Sequence, residues 1–326
     1  LFFRIIMAVL TFFWIGIFVV SLLVLLKSSD YFTTAAEKIG LLLGMPAFIV
    51  GVTIVAIGTS LPELISSFFA VAAGNSEMVA GNVVGSNIAN ILLILGFVAI
   101  VGRKVETKYE ILKVDLPIFF ASALFVFISC MDGVFNFWEG IIGILGVIVY
   151  FSFAVNSAKK SGSKQKITKK EKKTAKKEGF WSQIGIMLIA GIFIFLGAKY
   201  VVASVINLST IFNIGTEVIA ISAVAIGTSL PELMVGYQAA KRGNAGLAFG
   251  NVLGSNIFNS FAVLGIPALF GAIVIPSAIV QFSIPVMIGV SLLYFFMIQD
   301  KQLTIWEGLI LLLAYILYLA KIFALF

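Results

Sequence analysis

A ten-residue stretch, Val55 to Leu64, returns without a single change at Val224 to Leu233, and each copy contains Gly-Thr-Ser-Leu-Pro-Glu ending at Glu63 or Glu232. The 169-residue offset persists downstream. There Gly81-Asn82-Val83-Val84-Gly85-Ser86-Asn87-Ile88-Ala89-Asn90 meets Gly250-Asn251-Val252-Leu253-Gly254-Ser255-Asn256-Ile257-Phe258-Asn259, with eight of ten positions matching. Two separate stretches held at one offset are the mark of an internal duplication. Any fold for this chain must therefore use the same local structure twice.

Each copy sets a carboxylate, hydroxyls, glycine and proline inside apolar sequence. Glu63 lies near the middle of a run from about 46 to 73 that is long enough to span a bilayer. A charge at that depth costs at least ~2.5 kcal/mol, so it marks a functional site by default. Pro62 has no amide hydrogen and Gly58 tolerates unusual dihedrals, which predicts a helix break beside the carboxylate. Freed carbonyls together with Thr59, Ser60, Thr228, Ser229, Glu63 and Glu232 make an all-oxygen environment suited to Ca2+ or Na+.

Composition places this site in a membrane. The 326 residues are 61% hydrophobic and 11% charged, with mean hydropathy +1.13, as expected of an all-α polytopic membrane protein. The chain has no histidine and one cysteine, Cys130. That excludes Ser-His catalysis, zincin motifs, an intrachain disulfide and a thiolate metal site, and no cofactor is implied. Ten lysines against two glutamates lie between Lys159 and Glu178, and the rest of the chain is close to neutral. The basicity is therefore a solvated linker that can touch anionic lipid, and no nucleic-acid surface or obligate protein partner is indicated.

Hydrophobic runs predict ten transmembrane helices over about 5–38, 46–73, 78–101, 110–131, 137–157, 180–206, 215–241, 246–271, 277–298 and 304–325. The first is long enough to require tilt or a kink. Residues 1–157 form the first five-helix repeat, 158–179 the lysine-rich linker and 180–326 the second repeat. Basic residues gather in loops on one side, which puts both termini outside and the linker in the cytoplasm. Five helices per repeat is an odd number, so the two repeats are inverted, an arrangement that brings Glu63 and Glu232 together at the midplane.

Glu63 and Glu232 are the carboxylates expected near midplane depth, since Asp115 and Glu217 fall in the first turns of their helices. Asn90 and Asn259 follow Ser86 and Ser255 by four residues, so each pair shares a helix face and the amides can complete an oxygen shell. Interhelical hydrogen bonding is the expected role of Asn82, Asn87, Asn251 and Asn256. The pairs Gly81/Gly85 and Gly250/Gly254 are expected to be close-packing surfaces. Asp30 aligns with Lys199 at the same offset, and this change of sign places both away from the central site.

The paired GTSLPE and GNxxGSNxxN stretches resemble the α-repeats of the calcium/cation antiporter superfamily, specifically its sodium/calcium exchanger branch of prokaryotic type. The resemblance is specific over about 80 residues and weaker over the ten-helix plan. It implies that Glu63 and Glu232 are shared Ca2+ and Na+ ligands. By the same resemblance Thr59, Ser60, Thr228, Ser229 and the carbonyls of Ala56 and Ala225 add oxygens, Ser86 and Ser255 help bind Na+, and Asn90 and Asn259 stand beside the site. It further implies that helices 1 and 6 slide across the other eight to switch access. Several prokaryotic and potassium-dependent relatives carry Asp where Asn259 stands, which argues against K+ cotransport. A linker of about 25 residues leaves no room for the large calcium-sensing domains of animal exchangers. The expected function is Na+/Ca2+ antiport in a prokaryotic plasma membrane. H+/Ca2+ antiport, a passive cation channel and an intramembrane hydrolase stand as alternatives.

Overall fold

The computed structural model describes residues 2–106, 115–160, 179–211 and 229–322. Numbered in chain order, its helices are α1 (Phe2–Leu43), α2 (Ala47–Ala72), α3 (Glu77–Gly102), α4 (Asp115–Cys130), α5 (Phe137–Lys160), α6 (Phe180–Ile211), α7 (Leu230–Lys241), α8 (Ala245–Ala268), α9 (Ile279–Met297) and α10 (Ile305–Ile322). Among the described residues, eight helices are long and apolar enough to cross a membrane. The chain is a multi-pass membrane protein. Most of the lysine-rich linker, the stretch before Leu230 that was expected to be helical from 215, and the start of the helix expected from 110 lie outside the described residues.

Burial orders the helices from centre to rim. The most apolar window of α8 is 100% buried, that of α3 78% and that of α2 61%, against 11% for α1. A helix apolar all round and fully buried in protein is the middle of a bundle, whereas one equally apolar but exposed faces lipid. Trp138, Trp181 and Trp306 stand exposed in the first turns of α5, α6 and α10, where amphipathic rings suit the membrane–water interface.

Small residues let α2 and α8 approach closely. A Cβ added to Gly250 would overlap the carbonyl oxygen of Phe48, and one at Gly254 would overlap that of Val52. At Gly51 it would come within 2.9 Å of the Asn251 amide nitrogen. The expected close-packing role thus holds for Gly250 and Gly254. The stretch that the repeat would set against Gly81 and Gly85, around 217–225, lies outside the described residues.

One expectation is corrected. The helix does not break at Gly58–Pro62: α2 continues through Pro62 to Ala72. Its irregularity is instead a π-helical segment one turn earlier, Gly51–Val55. Pro62 deletes one backbone bond and needs room near the Gly58 carbonyl, and the wider turn upstream relaxes the helix without unwinding it. Helix α1 is one uninterrupted helix that runs to Leu43, somewhat past the end expected near 38. At ~1.5 Å per residue it is about 63 Å long, twice a ~30 Å hydrocarbon core. The described residues are overwhelmingly helical, with two minor additions. Two short antiparallel ladders join loops, β1 (Lys104–Glu106) with β4 (Gln302–Thr304) and β2 (Val134–Phe135) with β3 (Ile273–Val274). Each closes loop backbone that would otherwise lack partners at a helix end.

Candidate cation site

The two motif carboxylates meet where α2, α7 and α8 converge. Glu63 lies on α2, and Glu232 lies in the first turn of α7; each is 1% exposed. Ser60, one turn before Glu63, donates its hydroxyl to Oε1 of Glu232 at 3.0 Å, which ties the two copies of the motif together. Pro231 takes a position in the first turn of α7 where its missing N–H costs nothing. Glu63 and Glu232 are close enough to interact electrostatically.

Helix α8 contributes the next layer. Thr59 donates to Oδ1 of Asn251 at 3.2 Å and stands 3.5 Å from the hydroxyl of Ser255. Nδ2 of Asn251 reaches the backbone carbonyl of Glu232 at 3.5 Å. Asn90 on α3 donates to Asn256 on α8 at 3.3 Å. The Ala56 carbonyl accepts a long bond, 3.4 Å, from Thr59. Ala56, Thr59, Ser60, Ser86, Asn90, Ser229, Ser255 and Asn259 are all buried, as the two carboxylates are. Thr228 and Ala225 lie outside the described residues; the other ten candidates are all buried on α2, α3 and α8 or at the start of α7, and direct contacts join Thr59 to Ala56 and Ser255 and Ser60 to Glu232.

The oxygens are the notable feature of this cluster. Both carboxylate oxygens of Glu63, Oε2 of Glu232, the Ser229 hydroxyl and the amide oxygens of Asn90 and Asn259 are buried without a hydrogen-bond partner. Buried polar groups are nearly always paired, and an ionised carboxylate left unpaired costs several kcal/mol (order of magnitude). Two donors, Nδ2 of Asn256 and of Asn259, are unpaired as well, but the unpaired oxygens outnumber them, and a concentration of lone pairs around two carboxylates is electrostatically suited to a cation. No group of three or more Asp, Glu, Cys or His side chains occurs among the described residues. The oxygens gathered here belong to two carboxylates and to neutral hydroxyl and amide groups, a set of hard oxygens of the kind that Ca2+ and Na+ accept.

Two features of the site escaped the sequence reading. π-helical segments begin at Asn90 and at Asn259, at Asn90–Leu95 and Asn259–Val263. An extra residue in the turn re-aims the side chains around each amide, and such segments favour functional sites. No residue type in the sequence announces a π turn; only their recurrence at equivalent positions marks them. Asn251 is the second. It makes interhelical bonds as expected, but to Thr59 and the Glu232 backbone, inside the site. The other structural asparagines behave as expected, with Asn82 donating to Ser67 at 3.3 Å and Asn87 to Ser260 at 2.9 Å.

Asp115 lies in the first turn of its helix, as expected, and has a partner that the sequence did not show. Although it opens α4, it is 1% exposed and accepts a 3.0 Å bond from the hydroxyl of Tyr150 on α5. Its repeat equivalent is Ile284, so nothing in the duplication pointed to it.

Comparison with known proteins gives one consistent answer. The family model described as sodium/calcium exchanger protein matches residues 13–156 and 182–324. The sodium/calcium exchanger MaX1 of Methanosarcina acetivorans is 36% identical, with 94% of this chain and 97% of that protein covered. The inner membrane protein YrbG of Escherichia coli is 31% identical over 78% of this chain and 79% of its own length. Among solved structures, the sodium-calcium exchanger NCX_Mj soaked with Na+ and Sr2+ superposes with a TM-score of 0.80 at 28% identity, covering 95% of this chain and 99% of that one.

Proposed function

We propose that this chain, which belongs to the sodium/calcium exchanger protein family, exchanges Na+ for Ca2+ across a membrane by alternating access at a site centred on Glu63 and Glu232. The family is one of ion exchangers rather than enzymes, and Ca2+ and Na+ enter this account as transported ions, not cofactors. The observation that carries the reading is the set of buried, partnerless oxygens on Glu63, Glu232, Ser229, Asn90 and Asn259. Two negative charges balance one Ca2+ or can be shared among several Na+, and occupancy by one kind of ion excludes the other. Thr59, Ser60, Thr228, Ser255, Ser86 and the Ala56 and Ala225 carbonyls complete the proposed ligand shell.

The reading includes ten helices in two inverted halves, 1–157 and 180–326, joined by the cytoplasmic linker 158–179, with both termini outside. The small ladders support it. The 169-residue offset carries β1 onto β3 and β2 onto β4. Applied to the register Lys104↔Thr304 and Val105↔Leu303, it yields Ile273↔Phe135 and Val274↔Val134, the pairing that the other ladder has. An exchange of the two halves thus maps one ladder onto the other. Equal halves of opposite orientation make alternating access natural, because swapping their conformations swaps inside for outside.

The test is 45Ca2+ uptake into proteoliposomes loaded with Na+ and diluted into Na+-free buffer, at equal pH and with a protonophore present. Uptake is expected to require internal Na+. Uptake that needs an imposed proton gradient would assign the coupling to H+, and uptake that ignores every counter-ion gradient would indicate a channel.

A further inference from the structure

Helices α1 and α6 pack chiefly against each other, and α1 meets the rest of the molecule chiefly at α7. The described side chains in the first half of α1 are exposed or half-buried, and burial sets in from Ser21 onward, at residues such as Leu25, Ser29, Phe32 and Ala36. This two-helix unit therefore meets the core along the later half of α1 alone, and movement along that seam disturbs less packing than movement between core helices. The seam carries a dense set of polar bonds at one end. Arg242, which caps α7, donates through Nη2 to the Asp30 carboxylate, to the Asp30 carbonyl at 3.0 Å and to the Thr34 hydroxyl at 2.6 Å, and through Nη1 to Glu37 at 3.3 Å. Asn244 holds the other Glu37 oxygen at 2.8 Å. About one turn before Arg242, buried Gln238 donates to the Leu26 carbonyl at 3.2 Å. Leu26, Asp30, Thr34 and Glu37 follow helical spacing, so these contacts run along one face of α1.

The duplication repeats just one side chain of this cluster, Asn244, which corresponds to Asn75. At the same offset Arg242 corresponds to Ala73, Gln238 to Phe69, Asp30 to Lys199, Thr34 to Ala203 and Glu37 to Ile206. The opposite end of the seam thus has neither the guanidinium nor the carboxylates. In a molecule whose halves are otherwise alike, a bond set present at one end alone breaks the energetic equivalence of the two access states.

We propose that Gln238, Arg242 and Asn244 form a one-sided latch that holds α1, and with it α6, in the arrangement of this structure, and that its release accompanies movement of the pair. The latch rests on the alternating-access reading above and adds to it a built-in preference for one state. Single exposed ion pairs contribute little, but Arg242 here satisfies two carboxylates, a hydroxyl and a carbonyl at once.

The test is a distance measurement that involves no transport. In the full-length protein with Cys130→Ser, spin labels are placed at Leu43, at the end of α1, and at Gln299, after α9; both positions are exposed. Electron–electron double resonance is recorded without Na+ or Ca2+. The unsubstituted chain is expected to give one dominant distance. Arg242→Gln is expected to raise a second population on the order of tenfold relative to the first. Asp30→Asn with Glu37→Gln removes the same bonds from the α1 side, so it should give the same shift, and all three together should give no more. High salt should mimic Arg242→Gln, because partly exposed charges are screened. Unchanged distances in both variant sets, or shifts that simply add, would overturn the latch. Failure of the exchange reading is separate, since it would appear as Na+-independent 45Ca2+ flux whatever the distances do.

Discussion

Replacing Glu63 with glutamine changes the site's formal charge from −2 to −1 with almost no change in shape, and the structure allows its effect to be sized. Both Glu63 oxygens are buried without a donor, so no protein group offsets the charge that is lost. Unit charges ~4 Å apart at an effective permittivity of ~20 interact by about 4 kcal/mol, hence about 8 for Ca2+ and about 4 for Na+. If the amide oxygen recovers about half of that, Ca2+ affinity falls about a thousandfold and Na+ affinity about thirtyfold. The variant should therefore lose Ca2+ exchange while retaining weak Na+ binding. It should also melt no lower than the unsubstituted chain when ion-free, because a buried uncompensated charge has been removed. Thermal unfolding of purified protein with and without excess Ca2+ reads both effects, since a ligand bound only to the folded state raises its stability. A Ca2+-induced stabilisation equal to that of the unsubstituted chain would refute the assignment of Glu63.

Two substitutions probe the frame. Gly254→Val should force α2 and α8 apart, because even a Cβ overlaps the Val52 carbonyl and approaches the Ala56 Cβ at 2.6 Å. A loss of about 1–3 kcal/mol is expected from such overpacking, together with loss of ion-induced stabilisation, and is read by the same melting assay. Tyr150→Phe removes the donor to buried Asp115 and should lower stability by about 1.5–3 kcal/mol while leaving Na+-dependent exchange measurable in vesicles. Abolished exchange in a stable Tyr150→Phe protein would place Asp115 in the transport pathway instead.

The duplicated motif made much of the site legible. A glutamate in mid-membrane needs an ionic reason, and two glutamates at one offset share one, so Glu63 and Glu232 could be paired before any coordinates existed. Gly250 and Gly254 marked a close-packing surface for a similar reason, since only small residues allow one, but not that its partner is α2. Local backbone form was harder to read. Proline and glycine suggested a break at Gly58–Pro62, yet a π segment upstream accommodates proline without one, because helix widening and unwinding draw on the same residue types. Tertiary partnerships without a repeat signature were invisible. Asp115 is the helix-end residue that its position suggests, but nothing in the sequence shows that Tyr150 satisfies it, and nothing there places Arg242 beside α1. Charge sign and periodicity are properties of one segment, whereas these contacts depend on which helices meet.

The most direct test of the central claim is to locate the ion. Crystals of the unsubstituted protein soaked in Sr2+ with Na+ withdrawn, measured at the strontium absorption edge, are predicted to give an anomalous peak within about 2.3–2.6 Å, the distance expected of Ca2+ to its oxygens, or slightly beyond for the larger ion, of carboxylate oxygens from both Glu63 and Glu232. The peak should fade as Na+ is restored. A peak elsewhere in the molecule, or one touching neither glutamate, would contradict the account.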